Sequence, residues 1–407
     1  MSTGPFDDLD ACLAPDVLGV VRRASPIPTI SKRAAAAQAA NPKLVRADIG
    51  QIVGMNEDEE VLYGPPAGLD SLRAALAETW LLTYGLSSGA VEQLPEGLRA
   101  EHISITTGAA EGLSLLFRCF ALGKTVGLPL GHWENYDNGV ELAGGRTTML
   151  QFFDEKGHLD FAGLDRAVKD QGIELLVCNF PSNPTGAVLE DTEYRELAAF
   201  LREHDLIVIA DEVYNRLRYD AKPPRTLLAY APERTVVVSS ASKEYLIPGA
   251  RVGFAISAYP ELSNVVLPKL VRGSTGSPNV LGQQRLLAYL EAGLLDLRAG
   301  REPQMMLDIR AEMARRRAAL LSVLSAQGFG LCGRPDHEPQ GTIFLVAKLP
   351  AWWRGDDVAF ADQALESGLF SCIPGSAFGI PGAVRFSFGA MTSQAITTLA
   401  KALSRMH

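Results

Sequence analysis

Short apolar runs alternate with amphipathic stretches through the middle of the chain, from Leu69 onward. Five of the runs have the length of strands and read HISIT, KTVGLPL, LLVCNF, LIVIADEVY and TVVVSSAS, whereas EGLSLLFRCFAL and ELAAFLREHD show helical spacing of apolar residues. Strands that are buried on both faces are continuously apolar, and their alternation with helices is typical of a mostly parallel sheet covered by helices. The pattern therefore predicts an α/β domain.

The pattern changes after about residue 285. A long helical segment, MMLDIRAEMARRRAALLSVLSAQG, is followed by the short strands TIFLVAKL and AVRFSFG, which predicts a smaller α+β domain. The first residues mix Pro, Ala and basic residues, with an Ala-rich helical stretch from Ser31 to Ala40, and resemble an arm that reaches a partner subunit. We expect residues 1–48 to form this arm and part of the small domain, residues 49–285 the large domain, and residues 286–407 the small C-terminal domain.

Composition narrows the class of function. The chain has 407 residues, 47% of them hydrophobic and 21% charged, as in ordinary globular enzymes of two domains. Its net charge of -9, without a block of Lys and Arg, argues against nucleic acid as a partner. The five cysteines lack CxxC spacing, so we expect no metal site and no disulfide framework. The N-terminus lacks a signal peptide pattern and no apolar run reaches bilayer length, so we expect a cytoplasmic protein with no membrane partner.

The segment SSASKEYLIPGARVG, residues 239–253, carries the strongest chemical signal. Lys243 follows a strand-like run and is flanked by small residues, with Ser240 before it and Arg251 eight positions after it. One loop can thus present hydroxyls and a guanidinium to a phosphate while the amine reaches an aldehyde. The S-x-S-K and P-G-x-R-x-G patterns resemble the Schiff-base segment of the fold type I, class I/II aminotransferase family. The resemblance implies that Lys243 carries pyridoxal 5'-phosphate (PLP) as a Schiff base and moves the substrate's Cα proton, while Ser240 and Arg251 bind the phosphate.

Two further motifs extend the resemblance to the cofactor ring. The buried-type strand in LIVIADEVY ends in Asp211, and a carboxylate there can keep the pyridine nitrogen of PLP protonated. Tyr214 completes the D-E-V-Y motif of the family and is expected to bind the phenolic oxygen of PLP. Asn183, in the turn NFPSNPTG, matches the family's asparagine on the other side of that oxygen. The resemblance implies a catalytic role for Lys243, Asp211 and Tyr214.

The strand, turn and helix of ISITTGAAEGLSLL expose backbone N–H groups where a helix begins, an arrangement suited to a phosphate. In the family this loop binds the cofactor phosphate, here with Gly108, Ala109 and Ala110. In GHWENYDNGVELAGG, Trp133 occupies the position of the aromatic residue that stacks on the pyridine ring. His132 and Glu134 beside it depart from the family's common residues.

Three residues near the ends of the resemblance concern the substrate and the assembly. Arg385, in AVRFSFG, matches the arginine that binds the substrate α-carboxylate in a bidentate fork, together with Asn183 and, in DIGQIVG, Gly50. Tyr63 matches the tyrosine that reaches the phosphate in the neighbouring subunit, which implies a homodimer with shared sites.

The resemblance covers about residues 48 to 390 and implies a three-layer αβα large domain around a mostly parallel seven-stranded sheet, plus a smaller α+β domain. It implies an enzyme that acts on an α-amino acid, and transamination to a 2-oxo acid is the first hypothesis. The alternative is β/γ-elimination, replacement or cyclisation, as in 1-aminocyclopropane-1-carboxylate synthase or capreomycidine synthase, because the cofactor-binding residues are the same in each case. The substrate side chain and the amino acceptor stay open.

Overall fold

The computed structural model describes residues 4–23, 33–34, 36–42, 62–87, 89, 91–335, 337–367 and 369–406. Gly50 lies outside the described residues. Within them, the apolar runs of the middle of the chain form one sheet, because each run buries both of its faces. Its strands are β1 (Ile103–Thr106), β2 (Thr125–Pro129), β3 (Arg146–Leu150), β4 (Ile173–Cys178), β5 (Ile207–Asp211), β6 (Thr235–Ser240) and β7 (Gly253–Ser257).

The order of the seven strands is β1-β7-β6-β5-β4-β2-β3. Neighbouring strands are parallel from β3 through β6, and β7 runs antiparallel to both β6 and β1. The prediction of a mostly parallel seven-stranded sheet is therefore confirmed. Parallel strands require helical crossovers, and these cover the sheet on two faces, each with its own apolar core.

The helices of the first 300 residues share this role of covering the sheet or joining its strands. They are α1 (Leu9–Cys12), α2 (Pro15–Arg22), α3 (Asp70–Tyr84), α4 (Ala109–Phe120), α5 (Asn135–Leu142), α6 (Phe161–Gln171), α7 (Asp191–Glu203), α8 (Ala241–Glu244), α9 (Leu267–Ser274) and α10 (Val280–Arg298). The helical stretches anticipated in EGLSLLFRCFAL and ELAAFLREHD correspond to α4 and α7.

A second sheet follows the long helix α11 (Gln304–Ala326). It is antiparallel with the order β10-β11-β9-β8. Its strands and helices are β8 (Gly330–Cys332), β9 (Phe344–Lys348), α12 (Asp357–Glu366), β10 (Ile373–Pro374), β11 (Ala383–Ser387) and α13 (Ser393–Met406). This α+β unit lies where the sequence pattern predicts one, while the exact boundaries at residues 48 and 285 remain a prediction.

The N-terminal residues pack on their own chain. Phe6, Leu9, Leu13 and Val17 are buried in the core that lies on one face of the large sheet. Residues 36–40 of the predicted Ala-rich helix are helical. The contact of this arm with a partner subunit remains a prediction. Within the described residues, none of the helices combines the length and the apolar character that a membrane span requires.

Candidate active site

The carboxyl ends of β4, β5 and β6 bring three of the predicted residues to one edge of the sheet. Asn183 lies in the turn after β4, Asp211 ends β5, and Lys243 lies in the short helix α8 that follows β6. Neighbouring parallel strands end at the same edge, so residues that are far apart in sequence meet there. The Nζ atom of Lys243 lies 5.7 Å from the centre of the Tyr214 ring.

Asp211 is a buried acid, with 3% of its surface exposed. The hydroxyl of Tyr136 donates to its Oδ2 atom at 2.6 Å, and the backbone N–H of Val213 donates to Oδ1 at 3.4 Å. Burial raises the pKa of Asp211 to about 6, although these two hydrogen bonds and the charge of Lys243 act in the opposite direction. Among the described residues no cation forms a salt bridge with this carboxyl, so a protonated ring nitrogen placed beside it would stabilise its charged form.

Asn179, which the sequence motifs do not single out, joins two parts of the site. Its side-chain N–H donates to the carbonyl oxygen of Asp211 at 2.8 Å, and its Oδ1 atom accepts the backbone N–H of Asn183 at 2.7 Å. The side chain is buried, so both hydrogen bonds form away from water. The one signal available in the sequence is its place as the first polar residue after the apolar run of β4.

Arg385, on β11 of the small sheet, faces the same cleft. Its Nη1 atom donates to Oδ1 of Asn183 at 3.2 Å. The guanidinium carbon lies 4.3 Å from the ring centre of Phe344 and 4.6 Å from that of Phe378, so two aromatic rings hold it. Its Nε atom is buried and has no hydrogen-bond acceptor among the described residues. Burial lowers the pKa of Arg385, and a ligand carboxylate would supply the missing acceptor and counter-charge.

Lys243 is half-buried between these groups. Burial is the main cause that lowers its pKa, the positive charge of Arg385 lowers it further, and the charge of Asp211 raises it. A lowered pKa increases the fraction of neutral amine, which is the nucleophilic form. The pKa of Tyr214, the ring next to this amine, is raised by burial.

The N-terminus of α4 lies next to Arg251. Gly108, with φ of +79°, turns the chain into the helix, and a Cβ atom there would overlap Nη2 of Arg251. The first amides of a twelve-residue helix and the guanidinium of Arg251 thus lie next to each other. The hydroxyl oxygen of Ser240 accepts the N–H of Ser242 at 3.4 Å, which leaves its O–H to donate elsewhere. This donor set suits a phosphate.

Two aromatic residues, Tyr136 and Trp133, pack together next to Asp211. Trp133 packs edge to face on Tyr136, with ring centres 5.8 Å apart. The hydroxyl of Tyr136 is the donor to Asp211 described above, a contact that the sequence does not predict. Tyr63 is 78% exposed on this chain. Its role across a dimer interface remains a prediction, as does the role of Gly50.

These features fit PLP on three points. A cradle of backbone amides, a hydroxyl and a guanidinium matches a phosphate. A buried carboxyl that forms no salt bridge within the described residues matches a pyridinium nitrogen, and an amine of lowered pKa matches an aldehyde. Within the part of the chain that the structure describes, no group of three or more His, Cys, Asp or Glu residues is placed to hold a metal ion.

Comparisons with known proteins agree on the family. The sequence model described as "Aminotransferase class I and II" matches residues 32–403. An aspartate/prephenate aminotransferase of Thermus thermophilus is 31% identical over 348 residues, covering 84% of this chain and 82% of that protein. An aspartate aminotransferase of Bacillus subtilis is 26% identical, covering 82% of this chain and 80% of that protein.

Solved structures give the same result. The aspartate aminotransferase of Thermus thermophilus with maleate has a TM-score of 0.72 at 29% identity, covering 92% of this chain and 86% of that chain. An aromatic aminotransferase of Pyrococcus horikoshii has a TM-score of 0.72 at 27% identity, covering 85% of this chain and 87% of that chain.

Proposed function

The chain belongs to the class I and II aminotransferases, and we propose that Lys243, Asp211 and Arg385 carry out its amino transfer from an α-amino acid to a 2-oxo acid. The observation that carries this assignment is the arginine. Arg385 is held by two aromatic rings, has an Nε–H without an acceptor in the described residues, and faces the same cleft as a lysine of lowered pKa. A half-buried cation with an unpaired, buried Nε–H is suited to the α-carboxylate of a substrate.

Members of this family depend on PLP, which when bound supplies an aldehyde for covalent attachment of amines and a ring that withdraws electrons from the substrate's Cα–H bond. Asp211 would hold the ring nitrogen in its protonated form, since the carboxyl has no other cationic partner within hydrogen-bond distance in the described residues. Asn183 and Tyr214 would donate to the phenolic oxygen, and Trp133 would cover the ring face.

At the other end, the amides of Gly108, Ala109 and Ala110 would bind the phosphate together with Ser240 and Arg251, because Arg251 lies against Gly108 and Ser240 pairs with Gly253, which packs on Gly108 and Ala109. Tyr63 would add a hydroxyl from the neighbouring subunit of a homodimer. A homodimer and a cytoplasmic location are part of this proposal.

Lys243 has two tasks. Its amine would hold the cofactor in the absence of substrate, and with substrate bound Nζ would accept the proton of the substrate Cα and return a proton during amino transfer. The nearby charge of Arg385 favours the neutral amine, which is the form that can accept that proton. Arg385 and Asn183 would meanwhile hold the α-carboxylate, so that the Cα–H bond faces Lys243.

The family and the relatives described above favour transamination over elimination, replacement or cyclisation. Their names make aspartate the first amino donor to test.

A visible absorption titration tests the reaction. The PLP-loaded protein is titrated with aspartate and a panel of other amino acids, without any 2-oxo acid. We expect loss of the band of the lysine-bound cofactor with one amino group transferred per site, after which the reaction stops until a 2-oxo acid such as 2-oxoglutarate is added. Continued turnover without an acceptor would assign elimination, replacement or cyclisation instead. The Lys243→Ala variant is the control, because it should lack the lysine-bound band from the start.

A further inference from the structure

His132 lies in the turn between β2 and α5, directly before Trp133. Its side chain is buried, with 6% exposed, although histidine is a polar residue. Its Nδ1 atom lies 2.9 Å from the carbonyl oxygen of Pro129, and its Nε2 atom lies 2.6 Å from Oδ2 of Asp137. Both ring nitrogens thus face oxygen acceptors.

Each ring nitrogen lies at hydrogen-bond distance from an oxygen, one a backbone carbonyl and the other a carboxylate, and a hydrogen bond to the carboxylate is charge-assisted. The other oxygen of Asp137 accepts the hydroxyl of Thr147 on β3 at 2.7 Å. The ring therefore joins the end of β2, the first turn of α5 and, through Asp137, the edge strand β3. An apolar residue at position 132 would remove both contacts, the one with the carbonyl of Pro129 and the one with Asp137.

The same ring packs against Tyr136. The two ring planes are 18° apart and their centres are 6.1 Å apart, while Trp133 meets Tyr136 edge to face. Tyr136 is fully buried, and its hydroxyl donates to Oδ2 of Asp211 at 2.6 Å. Contacts on two sides thus fix the direction of the hydroxyl that meets the carboxyl of Asp211.

We propose that His132, held by Asp137, is a positioning residue that fixes Tyr136 and, through the tyrosine hydroxyl, the carboxylate of Asp211 against the ring nitrogen of the cofactor. This inference rests on the proposed role of Asp211. His132 touches neither cofactor nor substrate in this scheme, and its effect passes through a single hydrogen bond. A role in packing alone would instead change the stability of the fold and leave cofactor affinity unchanged.

Cofactor affinity provides the test. Protein stripped of PLP is titrated with PLP, and the dissociation constant is obtained from quenching of tryptophan fluorescence. The variants are His132→Phe, which keeps a ring but removes both hydrogen bonds, Asp137→Asn, which keeps the histidine, and Tyr136→Phe. We expect His132→Phe and Asp137→Asn each to raise the dissociation constant by about tenfold, the effect of one charge-assisted hydrogen bond.

The double variant His132→Phe/Tyr136→Phe decides whether the effect passes through the tyrosine. If it does, His132→Phe should change affinity by less than about twofold once the tyrosine hydroxyl is gone, because coupled residues are not additive. The same fold-change with and without the hydroxyl would overturn the proposal, as would wild-type affinity in both His132→Phe and Asp137→Asn. If His132→Phe does not fold, as judged by its unfolding midpoint without PLP, Asp137→Asn and the double variant Asp137→Asn/Tyr136→Phe decide the question.

Two controls separate the possible failures. His158→Phe removes an exposed histidine whose Nδ1 atom lies 3.7 Å from Oδ2 of Asp154, a second His–Asp contact outside the site, and should leave affinity unchanged. Asp211→Ala is titrated alongside. Wild-type affinity in Asp211→Ala would remove the proposed role of Asp211 itself. If Asp211→Ala binds PLP more weakly but the His132 and Asp137 variants bind it with wild-type affinity, only the positioning role is overturned.

Discussion

Two pairs of adjacent residues contrast the cleft with the interior behind it. Asp211 and Lys243 belong to the cleft, and their neighbours Glu212 and Glu244 belong to the interior. Asp211 contacts Tyr136 and feels the charge of Lys243, both groups of the candidate site. Glu212 accepts the backbone N–H of Leu227 at 2.9 Å, and Glu244 accepts the backbone N–H of Arg216 at 3.3 Å, away from the cleft. All three acids are equally buried.

Their pKa values nevertheless differ, because their neighbours carry different charges. Burial raises the pKa of Asp211 to about 6, that of Glu244 to about 7 and that of Glu212 to about 8. Lys243 lowers the first, whereas Glu244 adds to the rise at Glu212 although hydrogen bonds oppose it. The cleft keeps an acid that a cationic ligand can ionise fully, while burial raises the pKa of the two interior acids further.

The largest effect should separate Asp211 from Glu212. Asp211→Asn removes the charge that would keep the cofactor ring protonated. It should lower kcat/KM by about a hundredfold or more, the loss expected when a charged group that acts in the transition state is removed. Glu212→Gln keeps an acceptor for Leu227 and should change kcat/KM by no more than a few fold. Steady-state kinetics at saturating PLP measure both, and equal losses in the two variants would mean that cleft and interior are not distinct.

A second effect, of similar size, concerns the pH dependence of stability behind Lys243. The pKa of Glu244 is raised above its unfolded value near 4.5, so the folded state binds the proton more tightly. Its contribution to stability is present below about pH 4.5 and is lost as pH rises towards 7, by ~3 kcal/mol for a shift of this size. Glu244→Gln should therefore flatten the fall in urea midpoint of the PLP-free protein between pH 5 and pH 8.

The exposed Glu134→Gln serves as the matched control for that series, since Glu134 lies on the surface. It should follow the wild-type curve. A Glu244→Gln curve that is parallel to the wild type would show that this interior acid is ionised throughout.

The smallest expected effect is a change in KM, which should distinguish Arg385 from Arg216. Arg385→Lys should raise KM for the amino acid by about tenfold, because an ammonium cannot reproduce the planar fork that a carboxylate fits. Arg216 lies behind the site, with Nη2 3.9 Å from Oε1 of Glu302, and Arg216→Lys should alter stability rather than KM. Unchanged KM in Arg385→Lys would move the carboxylate site elsewhere.

Most of the large sheet could be predicted because a strand buried on both faces leaves a continuous apolar run. β5 and β6 are examples. β3 was missed because it is an edge strand with only its last residue buried, and its sequence RTTML gives no such run. The antiparallel β7 was also missed, since its first residue, Gly253, is the last residue of the P-G-x-R-x-G motif.

The candidate site likewise contains residues that local motifs identify and contacts that they do not. Lys243, Asp211, Asn183 and Arg385 could be named because each stands in a motif of local residues, and the structure brings all four to one cleft. Asn179 and the Tyr136 hydroxyl could not be assigned their contacts, because their partners lie 32 and 75 residues away. Such contacts depend on how strands are ordered in the sheet.

The sequence by itself thus determined the family, the kind of sheet and the residues whose chemistry suits amino transfer, because these follow from local motifs and from the spacing of apolar residues. Only the tertiary structure decided which acid faces a cation, which faces another acid, and which of the arginines with an unpaired Nε–H among the described residues lies near Lys243. The physical reason is that the pKa and the hydrogen bonds of a side chain depend on the dielectric and the charges around it. Those surroundings are built from distant parts of the chain.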